Sequence, residues 1–179
     1  MNLPINTIPQ PQSVITGKGN LDLRTINKII IKTESKQELA IAQFFQKLLK
    51  PINHIGIERF SNHHKNHLLV SLKKDSNLPD EGYRLEIKEQ SISLEASTFG
   101  GLFYGFQTFR QLCDSKLESG SLPKNTIVPE CTIEDFPEFK YRGMHLDVSR
   151  HFFDIKFIKT YIDMIALHKM NVFHWHLTD

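Results

Sequence analysis

The sequence predicts an α+β domain, built as an antiparallel sheet with helices, followed by a strand–helix–strand unit. Residues 83–87 and 91–95 alternate apolar and polar side chains on either side of Lys88, Glu89 and Gln90, as a half-buried hairpin does. Two stretches, one opening at Ser35 and one at Ser97 or Thr98, repeat apolar residues at helical spacing. Near the C-terminus two short apolar runs, 144–148 and 172–177, flank a third helical pattern. Two strands joined by an amphipathic helix form a parallel pair with a right-handed crossover.

Residues 1–20 are rich in Pro, Gln and Gly and read as an extended lead-in. The β-branched run 26–32 predicts a strand. Ser35 followed by Glu38 fits a capping box; Ala42, Phe45, Leu48 and Leu49 define the apolar face behind it, and Pro51 stops the helix. The polar segment 61–67 contains His63, His64 and His67. No Cys or carboxylate accompanies these histidines, so a solvated loop fits better than a metal site. Residues 67–72 predict a strand, and 75–82 a turn-rich connection into the hairpin. The second helix places Leu102, Phe106, Phe109 and Cys113 on one face. Gly100 and Gly101 near its start permit close packing or close approach to a ligand, but the phosphate-loop spacing Gly-x-Gly-x-x-Gly is absent. A polar linker, 114–126, leads to a last strand over 127–133. The domains are therefore expected at 1–135 and 136–179.

In the C-terminal unit, Gly143 opens the first run and Ser149, Arg150 and His151 close it. Asp154 suits the N-cap of the helix; Ile155, Ile158, Ile162 and Ile165 mark its apolar face, His168 and Lys169 suit its negative end, and Asn171 its stop. Parallel strands present functional groups at their carboxyl ends. Arg150 and Asp179 stand there, the first just past one strand and the second at the end of the other. Read from the residues alone, Arg150 equally suits binding a helix end, and Asp179 capping a following helix.

Composition excludes several classes. Hydrophobic residues make up 40% and charged residues 23% of the 179, as in an ordinary globular protein. A net charge of +2 without a polybasic run does not suit nucleic acid. No stretch is long and apolar enough for a membrane span. Residues 1–6 lack the charged and apolar regions of a signal peptide, which leaves a cytoplasmic protein or a true start farther upstream. Cys113 and Cys131 do not make a disulfide framework and read as buried thiols.

The stretches 142–152 (Arg-Gly-x-x-x-Asp-x-Ser-Arg-His-Phe) and 163–179, ending Asn-x-Phe-His-Trp-His-Leu-Thr-Asp, resemble the opening of the catalytic barrel of glycoside hydrolase family 20, the β-N-acetylhexosaminidases. Residues 105–112 and 135–142 look like that family's domain junction, and 8–12 like its usual start. The resemblance implies that 136–179 is the first βαβ unit of a (β/α)8 TIM barrel, and that 1–135 is the non-catalytic N-terminal domain. It implies exo-acting hydrolysis of terminal N-acetylglucosamine or N-acetylgalactosamine, with no metal or other cofactor. In that chemistry the substrate's acetamido oxygen attacks the anomeric carbon, an exception to the two-carboxylate rule. An adjacent Asp-Glu pair, which the family carries on its fourth barrel strand beyond residue 179, orients the acetamido group and supplies the general acid and base. By the same resemblance Arg150 binds substrate hydroxyls in the terminal-sugar subsite, its planar fork suiting vicinal hydroxyls. Asp179 supports the general acid through a His that lies farther along the family's sequence. Family members are often periplasmic, secreted or lysosomal; the resemblance does not fix the compartment or the oligomeric state. Arg142 and Asp147 suit salt-bridge or strand-end roles better than site roles. His174 and His176 share a strand face but lack a carboxylate on it, a weak zinc signal, and Trp175 suits core packing better than a sugar platform. The alternative from another class is a non-catalytic carbohydrate- or partner-binding protein.

Overall fold

A computed structural model describes residues 5–62, 65–73 and 77–178. The chain divides into two compact units, Met1–Phe136 and Pro137–Asp179.

The first unit contains, in chain order, β1 (Ser13–Asp22), β2 (Lys28–Ile31), α1 (Lys36–Leu49), β3 (Gly56–Arg59), β4 (His67–Leu72), β5 (Tyr83–Lys88), β6 (Ser91–Ala96), α2 (Phe99–Leu112) and β7 (Ile127–Asp135). Its described strands form one sheet in the order β1-β7-β5-β6-β4-β2-β3. The sheet is mixed, not antiparallel throughout. β5 pairs antiparallel with β6 and β7, and β7 with β1, whereas β2 pairs parallel with β3 and β4, and β4 with β6. The parallel half follows from α1, which carries the chain back to the starting end of the sheet between β2 and β3.

Both helices cover one face of the sheet and touch each other. Phe45 on α1 meets Phe106 and Phe109 on α2, each at 5.0 Å between ring centroids. Beneath them lie Ile29, Ile31, Leu68, Val70, Leu85, Leu94 and Ile133, all buried. The opposite face is mostly polar, Ile30 and Leu69 excepted, and carries ion pairs such as Arg84–Glu134 at 3.1 Å and, just past the end of β4, Lys73–Glu95 at 2.5 Å. α2 can sit this low because it has no side chain at two contact points. A Cβ at Gly101 would run into the Gly82 carbonyl, and one at Gly105 into a Leu94 methyl and the Tyr83 ring. The glycines near the start of α2 therefore serve packing.

The caps are side chains. Ser35 accepts from the Gln37 and Glu38 amides, and Thr98 from the Gly101 amide. Glu38 does not return to Ser35 as a full capping box would. Its buried carboxylate accepts from the Thr33 amide, the Thr33 hydroxyl and the Leu72 amide, tying α1 to β4. A second buried polar group joins strand to helix, where the Tyr83 hydroxyl meets Thr108 Oγ1 at 2.5 Å and donates to Asp135 at 3.0 Å.

Two strands depart from the sequence reading. β1 lies in the expected lead-in; it is a mostly exposed edge strand whose register on β7 shifts between Thr16 and Asn20. Gly17 and Gly19 fall opposite the Glu130 side chain, where a Cβ would collide with it. β3 is a second edge strand with no buried residue.

The second unit contains β8 (Gly143–Asp147), α3 (Ile155–Leu167) and β9 (Val172–His176), with β8 and β9 parallel. Asp154 caps α3 by accepting from the Phe157 amide at 2.7 Å. The buried stripe of α3 is narrower than four isoleucines: Ile158 and Ile165 are buried, while Ile155 and Ile162 are 67% and 44% exposed. Lys169, not Asn171, takes the left-handed position that ends the helix, at φ 57°. Asn171 instead latches the two strand starts, accepting from the Arg142 amide at 3.0 Å and donating to the Lys140 carbonyl at 2.8 Å.

Candidate active-site edge

Strand alternation sorts the second unit's side chains into two faces. Met144, Leu146, Phe173 and Trp175 share one, and Phe173 meets Tyr161 of α3 at 5.5 Å, so this face lies toward the helix. Trp175 lies 5.7 Å from Phe173, within that aromatic row. His145, Asp147, His174 and His176 share the other face, with His145 paired to His174 and Asp147 to His176. The His145 ring is 4.7 Å from that of His174 and 6.0 Å from that of His176. This brings a carboxylate onto the histidine face, which the spacing of His174 and His176 alone did not show. Among the described residues, however, no three or more His, Cys, Asp or Glu side chains are placed to hold a metal ion. His63 and His64 lie outside the described residues, and His67 begins β4.

The carboxyl end of β8 is organised by Asp147. Its Oδ1 accepts from the Ser149 amide at 2.8 Å, the Ser149 hydroxyl at 2.8 Å and the Arg150 amide at 3.2 Å. His176 brings Nδ1 to 3.4 Å from the same oxygen. The Ser149 hydroxyl foremost, then the Arg150 and Ser149 amides and the nearby His176, hold the Asp147 carboxyl down at about 2, so it is ionised at neutral pH. The Val148 amide donates to the His176 carbonyl at 3.0 Å, carrying the pairing one residue past β8. Arg150 follows on the exposed loop into α3. Asp179 lies outside the described residues.

Arg142 stands at the other end of β8. Its guanidinium donates to the Lys169 carbonyl at 2.9 Å and the Phe139 carbonyl at 2.7 Å, a structural brace at the amino end. Cys131 is buried, which pushes its thiol up to about 11; Cys113 is half-buried, and desolvation together with the nearby Glu118 and Asp114 carboxylates raises its thiol as well, so neither is an activated nucleophile. An adjacent Asp-Glu does occur, at Asp80 and Glu81, but it belongs to the first unit, in the turn before β5, and not to the β8–α3–β9 segment.

Comparison with known proteins gives the same division. Residues 4–136 match the family description "Glycosyl hydrolase family 20, domain 2", and residues 139–179 match "Glycosyl hydrolase family 20, catalytic domain". The chain belongs to glycosyl hydrolase family 20. Among relatives of this family 20 chain, a beta-hexosaminidase of Porphyromonas gingivalis is 32% identical over 98% of the chain, and a beta-N-acetylhexosaminidase of Cellulomonas fimi is 31% identical over 98%. The chain spans only 23% and 35% of those two proteins' lengths. The family 20 beta-N-acetylhexosaminidase of Streptomyces coelicolor superposes over 100% of this chain and 36% of its own, with a TM-score of 0.88 at 32% identity. A Streptomyces plicatus N-acetyl-beta-hexosaminidase in complex with Thio-NAglucal gives the same values. The α+β domain followed by the opening of a catalytic barrel is thus the family's arrangement. No described helix is long and apolar enough to cross a membrane.

The sequence reading missed the link between Asp147 and His176. They are far apart in the chain, and only the in-register pairing of β8 and β9 sets them side by side.

Proposed function

We propose that residues 1–179 are the N-terminal part of a β-N-acetylhexosaminidase that removes terminal N-acetylhexosamine residues from glycans by substrate-assisted, retaining catalysis. Residues 1–135 form its N-terminal domain, and 136–179 open its catalytic barrel. The observation that carries this reading is the family 20 catalytic-domain match over 139–179, the stretch that contains the Ser-Arg-His loop beyond β8. Arg150 binds hydroxyls of the terminal sugar, since a planar, permanently charged fork suits two neighbouring oxygens. Asp179 orients a downstream His and so supports the general acid. The acid itself, with the Asp that steers the acetamido group, comes from farther along the family's sequence.

The test is turnover of chromogenic β-N-acetylglucosaminide and β-N-acetylgalactosaminide by the full-length gene product. Hydrolysis with retention of anomeric configuration is expected, together with inhibition by a sugar-fused methylthiazoline, in which sulfur replaces the acetamido oxygen of the cyclised intermediate. A folded full-length protein that hydrolyses neither substrate would overturn the reading. A polypeptide of residues 1–179 alone is expected to give no turnover above background.

A further inference from the structure

We propose that Asp147 is a positioning residue for Arg150, fixing the loop beyond β8 so that the guanidinium is presented to the sugar. This rests on the sugar-binding role of Arg150 given above. The case begins with one atom. Asp147 Oδ1 takes hydrogen bonds from the Ser149 amide, the Ser149 hydroxyl and the Arg150 amide, at 2.8, 2.8 and 3.2 Å. The Arg150 main chain is thereby tied to the last residue of a strand, although Arg150 itself is outside any helix or strand. A long, flexible side chain is aimed largely by the position and direction of its own backbone. Binding geometry tolerates an error of only about half an ångström.

The anchor is also braced from the neighbouring strand. His176 Nδ1 lies 3.4 Å from the same oxygen, and the Val148 amide donates to the His176 carbonyl at 3.0 Å. The loop carrying Arg150 is therefore referenced to both β8 and β9. The carboxylate's low proton affinity keeps the anchor charged across the range where a glycosidase works. A carboxylate that only stabilised the strand end would need none of this to converge on the residue before a sugar-binding arginine.

The experiment uses the full-length hydrolase in five forms: parent, Asp147→Ala, Asp147→Asn, Arg150→Lys and the Asp147→Ala/Arg150→Lys double variant. Each is assayed for kcat and KM on a chromogenic β-N-acetylglucosaminide, and its melting temperature is measured. Arg150→Lys is expected to lower kcat/KM at least about tenfold, and Asp147→Ala about tenfold; the double variant should fall within about twofold of Arg150→Lys, because residues acting through one group are not additive. Asp147→Asn retains an acceptor oxygen and should recover activity to within about threefold of the parent. If the two losses multiply in the double variant, or if Asp147→Ala leaves kcat/KM unchanged, the positioning role is wrong while the role of Arg150 stands. If Arg150→Lys itself changes nothing, the sugar-binding reading fails and takes this inference with it. Should Asp147→Ala not fold, Ser149→Ala decides. It removes one donor and keeps the carboxylate, and should lower kcat/KM about threefold in the parent but not in the Arg150→Lys background. An equal loss in both backgrounds overturns the proposal.

Discussion

Arg142 and Arg150 sit at opposite ends of one five-residue strand, and their surroundings give them different work. Arg142 points its donors at the main-chain carbonyls of Lys169 and Phe139, while Arg150 follows an exposed loop held by a neighbouring carboxylate. In the full-length enzyme, Arg150→Lys is expected to lower catalytic efficiency at least tenfold, about 1.4 kcal/mol of transition-state stabilisation, with little change in melting temperature. A change within twofold, only ~0.4 kcal/mol, would remove Arg150 from the sugar site. Arg142→Lys should do the reverse. It loses one charge-assisted bond to a carbonyl, so stability falls by about 1–2 kcal/mol while KM stays put. A thermal melt and a Michaelis curve on the same preparation separate the two arginines. Asp22 gives a pH test in the first unit. The Arg24 side chain, helped by the Arg24 amide and the Thr126 hydroxyl, holds its carboxyl down at about 2. A carboxyl depressed in the folded state stabilises fully above its unfolded value near 3.9, and that contribution is lost as pH falls toward the folded value. The first unit should therefore lose stability between about pH 4 and pH 2, and Asp22→Asn should flatten this part of the profile. A parent and variant that fall in parallel across this window would show that the carboxyl carries no such linkage.

At the scale of elements, α2 is set by its cap and by the two glycines that let it approach β5 and β6. Thr98→Ala removes the acceptor for the Gly101 amide and should cost about 1 kcal/mol. Gly105→Ala drives a methyl into Leu94 and Tyr83 and should cost about 1–3 kcal/mol despite the better helix propensity of alanine. Urea unfolding of both variants measures these terms; a stabilised Gly105→Ala would mean that the sheet yields more easily than its packing suggests. The same elements show what a sequence discloses. α1, α3, β5 and β6 announce themselves because each buries one face, and burial writes a period into the chain; α2 is buried around most of its girth and shows itself through its Thr98 cap and the spacing of Leu102, Phe106 and Phe109. β1 and β3 do not, because edge strands bury too little to leave such a pattern. The parallel pairing of β2, β4 and β6 was equally silent, since apolar runs such as Ile29–Ile31 look alike in either direction. For the candidate site, a local motif nominates Arg150, but the anchoring of its loop depends on which residues β8 and β9 set opposite one another.

At the scale of the whole molecule, the two units differ in how much of themselves they can bury. The first has helices over one face of a mixed sheet and a contiguous core running from Leu21 to Ile133. The second has two five-residue strands and one helix; its buried apolar residues among those described are Ile158 and Ile165. Phe152 is 90% exposed there, and Ile155, Phe139, Tyr141 and Leu177 are each more than 60% exposed. A parallel pair with one crossover helix has only one face covered, and its outer strand edges offer unpaired amides and carbonyls. Parallel strands are stable when both faces are buried, so a polypeptide of residues 1–179 should hold its second unit weakly. Limited proteolysis followed by mass spectrometry is expected to cut first between 137 and 178 and to leave a resistant core of about the first unit's size, because local opening controls access to the protease. Raising the protein concentration should slow that cutting only if copies associate through the exposed strands. Uniform protection of 137–178 in dilute solution would overturn the expectation and show that the βαβ piece reaches a stable packing without the rest of its barrel.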